Sequence, residues 1–256
     1  MPKKRLDLIL FEHGFFDTKN AASAAILAGN VKINDKVITK AGEQFSELKL
    51  FDELNPAKIE ITTLPFVSRG GLKLEHAIKE FNIDLKDRIC IDMGASTGGF
   101  TDCMLQRGAK FVYALDCGYN QLSWKLRNDK RIKSIEKINV RSCAFSDVFE
   151  ENEPIPSFMS MDLSFISIKK VLENCKNLIT KDAECVLLIK PQFEANREDI
   201  DKGGVVKDEK VRERIIEDIK NFCNDLDFDT KGVIKSPIQG AKSKNTEYLI
   251  YLKRRN

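Results

Sequence analysis

The stretch Cys90-Ile91-Asp92-Met93-Gly94-Ala95-Ser96-Thr97-Gly98-Gly99-Phe100 constrains the fold more than any other part of the chain. Ile89 to Ile91 is an apolar run that reads as a buried strand, and an acid follows it. A glycine-rich turn comes next, and Phe100 to Arg107 reads as the start of a helix. Strand, glycine turn and helix are how open α/β sheets build a nucleotide crevice at the carboxyl ends of their strands. Glycine lets backbone approach a ligand closely, and the helix N-terminus offers unpaired N–H groups. Locally, the same residues would also serve as an ordinary tight turn.

The pattern Asp-x-Gly-x-x-x-Gly-Gly is not the Gly-x-Gly-x-x-Gly dinucleotide fingerprint. A pyrophosphate is held by amides and repelled by an acid. An acid just before the first glycine suits a ligand without phosphate that carries positive charge and hydroxyls. S-adenosylmethionine (AdoMet) is such a ligand. On that reading Asp92, Gly94, Ser96, Thr97, Gly98, Gly99 and Phe100 are candidate cofactor contacts. Asp116 follows Asp92 by 24 residues, close to where a ribose-binding acid belongs after the second strand.

The flanking pattern predicts the sheet around this loop. Strands are expected at 88–93, 111–115, 132–135, 158–161 and 186–189, alternating with helical segments. Ser68-Arg69-Gly70-Gly71 opens a helix with Leu74, Ala77, Ile78 and Phe81 inward, and Lys73 on its first turn. Asp208 caps an amphipathic helix bearing Val211, Ile215, Ile219, Phe222 and Leu226. Two last strands, near 230–235 and 247–252, are joined by a loop too short for a crossover helix, which implies one antiparallel member. The expected class is α/β, a mostly parallel doubly wound, Rossmann-like sheet. Polar residues recur where its strands end, at Asp92, Asp116, Asp162 and Lys190, and Asp162 is a further candidate cofactor contact. A lysine emerging from a buried strand needs a partner, and Asp162 can supply one.

Residues 1–60 read as a small α+β domain: two short helices, then a hairpin turning at Asn34-Asp35. Thr18, after Asp17, is placed to cap the second helix, with Gly29 at its C-terminal end. Beginning Arg-Leu-Asp and containing Ala-Gly-x-Val-x-Ile-Asn, the domain resembles the alpha-L RNA-binding motif of ribosomal small-subunit proteins and pseudouridine synthases. Nine basic residues balance nine acidic ones there, so RNA contact would rest on Lys3, Lys4, Arg5 and Lys19, with Lys32 and Lys36 beside them. A dimerisation or spacer module is the alternative. Residues 61–66 read as a linker or isolated strand, and 67–256 as the second domain.

Composition removes several classes. Seven cysteines form no Cys-x-x-Cys, and with only His13 and His76 no zinc cluster assembles at usual spacings, so no metal is expected. The thiols read as reduced core residues of a cytoplasmic protein. Apolar runs such as Val186 to Ile189 fall far short of the ~20 residues that span a bilayer, and no signal peptide is evident.

Taken together, Val67-Ser68-Arg69-Gly70-Gly71-Leu72-Lys73-Leu74, the glycine loop through Thr101-Asp102, Asp162-Leu163-Ser164-Phe165-Ile166-Ser167, Lys190-Pro191-Gln192-Phe193-Glu194 and Gly203-Gly204-Val205-Val206 resemble the TlyA family. These are AdoMet-dependent rRNA 2′-O-methyltransferases with an N-terminal RNA-binding domain and an FtsJ-like catalytic domain. The resemblance implies a Lys-Asp-Lys-Glu catalytic tetrad at Lys73, Asp162, Lys190 and Glu247, and a cytidine ribose in ribosomal RNA as substrate. A 2′-hydroxyl is a poor nucleophile and needs a positioned base, a role Lys190 can fill when neutral. The chain resembles the short form of the family, which acts on the large subunit only. Arg69, Lys242 and Lys244 are further candidate RNA contacts. The segment 231–255 carries seven basic residues against one acid, Glu247, and reads as an RNA-backbone patch. A non-catalytic rRNA-binding assembly factor and a haemolysin-type membrane-active protein are the alternatives, and a dinucleotide oxidoreductase is the weakest.

Overall fold

The short apolar periods of the N-terminal segment become real elements in a computed structural model, which describes residues 3–16, 18–62, 64–240 and 245–255. Strand β1 (Lys3–Arg5) leads into α1 (Leu6–Glu12), and α2 (Lys19–Leu27) follows. Thr18 Oγ1 accepts the amide of Ala21 at 3.1 Å and caps α2, while Asp17 lies outside the described residues. Gly29, at φ +74°, closes the helix. Strands β2 (Val31–Ile33) and β3 (Lys36–Ile38) form a hairpin across Asn34 and Asp35, both at positive φ, the geometry of a tight primed turn. Then come β4 (Gln44–Ser46), α3 (Glu47–Leu50) and β5 (Ile59–Ile61). β1 pairs with β4, and β2 lies between β3 and β5. Leu6, Ile9, Leu10, Ala22, Ile26 and Val31 are fully buried between helices and sheet. Ile61 pairs with Val31, so the strand takes in the first residue of the segment expected to be a linker or isolated strand. Ile59 and Ile61 alternate with Glu60, a two-residue period that extends the sheet. The chain divides into units 1–64 and 65–256.

The second unit alternates strand and helix: α4 (Gly70–Glu80), β6 (Ile89–Met93), α5 (Gly99–Gln106), β7 (Phe111–Asp116), α6 (Trp124–Arg127) and β8 (Ile132–Glu136). It continues with α7 (Phe145–Val148), β9 (Phe158–Met161), α8 (Leu172–Lys176), β10 (Glu184–Ile189), α9 (Pro191–Glu194), α10 (Glu209–Asp225), β11 (Phe228–Lys235) and β12 (Tyr248–Arg254). The sheet runs β11-β12-β10-β9-β6-β7-β8. Its strands are parallel except β12, which is antiparallel to both β10 and β11.

Strand residues alternate cleanly between two cores. Ile91, Met93, Met159, Met161, Leu187 and Ile189 face α8 and α10, where Leu172, Cys175, Ile215 and Ile219 meet them. Cys90, Val112, Phe158, Val186 and Leu188 face α4 and α5, where Leu74, Ala77, Phe100 and Met104 meet them. Burial on both faces is why these strands read as nearly continuous apolar runs. Six of the seven cysteines are buried in this unit, where desolvation pushes the thiols of Cys90, Cys175 and Cys223 up to about 12. No helix among the described residues is long and apolar enough to cross a membrane.

The direction of β12 corrects the basic-patch expectation. Tyr248 pairs with Ile189 at the crevice end, and Lys253 pairs with Glu184 at the opposite end. Lys253, Arg254 and Arg255 therefore lie a full strand length from Glu247. The Arg254 guanidinium donates to the carbonyls of Ile179 at 2.8 Å and Lys176 at 2.9 Å, satisfying the end of α8. Lys231 and Arg255 pair with Asp229. Lys242 and Lys244 lie outside the described residues. Arg254→Ala should lower stability by about 1–3 kcal/mol by orphaning buried carbonyls. It should leave the salt dependence of RNA binding unchanged; a flatter slope in a filter-binding titration would return Arg254 to the RNA interface.

Candidate active site

The glycine loop passes from β6 to α5 by a path open only to glycine at two points. Gly94 has φ +85°, and a Cβ there would lie 2.8 Å from the Asp162 carbonyl oxygen. Gly98 has φ +94°, and its Cβ would lie 2.3 Å from Leu126 Cδ1. Above the loop opens a cavity of about 320 Å³. Gly94, Ser96, Thr97, Gly99 and Phe100 form one side, Ser68, Arg69 and Lys73 another, and Asp162, Ser164 and Lys190 the inner end.

Two acids expected to contact a cofactor hold the loop from outside this cavity. Asp92 is fully buried one residue short of the strand end, with its side chain in the layer between sheet and α5. Oδ2 accepts the Thr101 hydroxyl at 2.7 Å and Oδ1 accepts the Ser160 hydroxyl at 2.9 Å. Asp92 thus fastens β6 to β9 and to the first turn of α5. Desolvation pushes its carboxyl up to about 6 against those two hydrogen bonds. Asp116 stands at the end of β7. Its Oδ2 accepts the Ser96 amide and its Oδ1 the Gly118 amide, both at 2.7 Å. A carboxylate beside the loop, with lone pairs to spare, is chemically suited to ribose hydroxyls.

Four charged side chains from distant segments meet at the inner end. Lys190 Nζ is 2.6 Å from Asp162 Oδ1, and donates to Ser164 Oγ at 2.9 Å. Lys73 Nζ is 2.7 Å from Glu247 Oε2 and 3.7 Å from Asp162 Oδ2. The sequence Glu247–Lys73–Asp162–Lys190 alternates in sign, and all but Asp162 are buried. The register explains the meeting. Asp162 directly follows Met161, which pairs with Met93 on one side and Leu187 on the other. Glu247 precedes Tyr248, the partner of Ile189, and so arrives beside Lys190.

Beyond the tetrad lies a second cavity of about 520 Å³, sharing Lys73, Ser164 and Lys190 with the first. The rings of Phe165 and Phe193, 5.3 Å apart, the Gln192 amide, Gly203 and Gly204 line it. Phe165 is 86% exposed and sits at φ +65°, a strained position for a bulky residue. Glu194 braces that segment: it accepts the Ser167 hydroxyl at 2.5 Å and the Ile168 amide at 2.8 Å. Asn245 fastens the diglycine turn, accepting the Val206 amide and donating to the Gly204 carbonyl.

Among the remaining candidates, Arg69 is exposed at the mouth of the first cavity. In the N-terminal unit Lys3 and Lys19 are exposed. Lys4 pairs with Glu12 and Glu47, and Arg5 with buried Asp7, whose carboxyl it holds below the usual range. No group of three or more potential metal-ligating side chains occurs among the described residues.

Residues 66–254 match the family described as FtsJ-like methyltransferase, and residues 4–47 match the S4 domain. The chain is 35% identical to the 16S/23S rRNA (cytidine-2′-O)-methyltransferase TlyA of Mycobacterium tuberculosis, over 98% of this chain and 90% of that one. This chain belongs to the TlyA family. It is 36% identical to the 23S rRNA (cytidine-2′-O)-methyltransferase TlyA of Campylobacter jejuni, over 80% of each. A solved structure from Streptococcus thermophilus, named for hemolysis, shares 41% identity with a TM-score of 0.76, covering 100% of this chain and 90% of that one.

Thr101 and Ser160 were invisible to a reading of the TlyA-family motifs as ligand contacts, because their role is to satisfy a buried carboxylate. The signal for them was Asp92 itself, an acid inside an otherwise apolar strand. Burial favours the neutral form of this carboxyl, which makes stability depend on pH. Between the unfolded value near 3.8 and the folded value of about 6, the native chain holds the extra proton, so its stability falls as pH rises through that window. Asp92→Asn removes this cost. From about pH 4 to pH 7 the variant should gain on the order of 2–3 kcal/mol relative to the parent. Parallel pH profiles in urea titrations would show that the carboxyl does not titrate there.

Proposed function

We propose that this TlyA-family methyltransferase transfers a methyl group from AdoMet to the 2′-hydroxyl of a cytidine in ribosomal RNA, on the large subunit. The observation that carries this reading is the Lys73–Asp162–Lys190–Glu247 cluster at the junction of two cavities. One cavity is bounded by a glycine loop whose amides and close backbone suit a cofactor, and the other by aromatic rings that suit a nucleobase. The names of the Mycobacterium tuberculosis and Campylobacter jejuni relatives supply the cytidine and the ribosomal RNA.

The first cavity fits AdoMet. A Cβ on Gly94 would meet the backbone of Asp162, so glycine there lets the loop pack against the end of β9 and form the cavity wall. Gly94, Ser96, Thr97, Gly98, Gly99 and Phe100 would hold the cofactor, with Asp116 toward its ribose and Asp92 acting through the loop. AdoMet supplies, when bound, an electrophilic methyl group on a sulfonium. Lys73 and Lys190, which line both cavities, then face the cofactor and the ribose, with Asp162 between them on the cofactor side. Lys190 takes the proton of the 2′-hydroxyl, and Lys73, fixed by Glu247, places positive charge beside the oxygen as it loses that proton. Because the sulfonium charge disappears during transfer, positioning carries much of the rate. Phe165 and Phe193 offer the target base a stacking surface once it has left its helix.

The S4 unit would dock on RNA through Lys3 and Lys19, whose ammonium groups are exposed, together with Lys4 and Arg5. Lys190→Ala should abolish methyl transfer to large ribosomal subunits while the dissociation constant for AdoMet, measured by calorimetry, changes less than about threefold. Ribose-methylation mapping of both ribosomal RNAs, with and without the enzyme, identifies the target. Retained transfer by the alanine variant would remove Lys190 from the base role.

A further inference from the structure

A lysine that has lost one proton keeps two N–H bonds and one lone pair, and only the lone pair can accept a proton. Rotation about the terminal C–N bond decides which of the three faces the substrate. At Lys190 two directions are already filled. Asp162 Oδ1 lies 2.6 Å from Nζ, and Ser164 Oγ lies 2.9 Å from it on the donor side. Lys73 differs: its Nζ has carboxylates on both sides, Glu247 and Asp162. Ser164 also lines both cavities, so it stands where cofactor and ribose would converge.

We propose that Ser164 is a positioning residue for methyl transfer: by accepting one N–H of Lys190 while Asp162 accepts the other, it leaves the lone pair of the neutral amine facing the ribose hydroxyl. This rests on Lys190 being the base. In the step so assisted, the 2′-O–H bond breaks and its proton joins the Nζ lone pair. The oxygen forms the O–CH3 bond, and the sulfur keeps the electron pair of the broken S–CH3 bond. Lys190 ends as an ammonium with all three N–H bonds formed, two of them still to Asp162 and Ser164. Ser164 can hold this place because the chain around it is fixed at both ends. Asp162 donates its amide to the Met93 carbonyl at 3.0 Å, and Glu194 pins Ser167 and Ile168. Phe165, between them, stays at φ +65°.

The test is Ser164→Ala and Ser164→Thr in the full chain, with purified large ribosomal subunits lacking the modification and AdoMet carrying a labelled methyl. Single-turnover rates at saturating AdoMet are measured across pH, beside AdoMet affinity and melting temperature. The alanine variant should lose about tenfold to a hundredfold in rate, the scale of a misaimed catalytic group. Its AdoMet affinity, KM for the subunit and melting temperature should stay near those of the parent. Threonine, which keeps the hydroxyl, should recover most of the rate. An alanine variant as fast as the parent at every pH would overturn the inference, as would a loss confined to KM or AdoMet affinity. A threonine variant no faster than alanine would overturn it too. A parent that transfers no methyl to either subunit would remove the proposed function and this inference with it, whereas an active parent with an indifferent alanine variant removes the inference alone.

Discussion

Asp162 is the residue on which the site depends. One carboxylate, at the end of a central strand, meets two lysines that are otherwise nearly sealed from solvent. An ammonium group in such a place needs a partner, since removing one member of a buried pair costs about 3–5 kcal/mol. Asp162 meets that need for both lysines, and Glu247 supplies the second charge that Lys73 requires. The result is a row of nearly cancelling charges with two amines at a cavity junction. The contacts that neutralise the buried lysines are thus the same ones that place their amines at the cavity junction.

The rest of the domain can be understood as scaffolding for that row. Strand register sets where Asp162, Lys190 and Glu247 emerge. Beneath the glycine loop, Asp92 joins two strands and a helix through hydroxyls, and Asp116 grips the loop amide of Ser96. Neither acid lines the cavity. Through these bonds both fix the shape of the wall, where backbone at φ +85° and +94° is held by its surroundings.

Much of this was legible in the sequence because buried strands and helix faces have periods that survive without context. The parallel strands and the helices of the N-terminal start follow from such periods, the reversed β12 from a loop too short for a crossover, and the capping Asp208 from its side-chain chemistry. The tetrad was legible through resemblance, its alternating geometry was not. What failed had a common cause: a residue's chemistry was read without the direction of its side chain. Asp92 looked like a ligand contact and is an internal brace. The basic C-terminal run looked like one surface, yet β12 carries Arg254 and Arg255 to the end of the sheet opposite the crevice, where they serve carbonyls and acids. The short strand at Ile59–Ile61 was missed because three residues hold barely one period.

The reversal of β12 has a consequence for the order in which the molecule can mature. Lys73 and Glu247 are separated by 174 positions, and the acid reaches the lysine only when β12 has zipped onto β10. A partly folded chain with its five parallel strands assembled would hold two ammonium groups against a single carboxylate. That intermediate is electrostatically incomplete, and closing such a long-range contact is among the slower events in folding. Pairing of β12 with β10 is thus favoured by a waiting positive charge. The row of alternating charges is complete only when the sheet is finished.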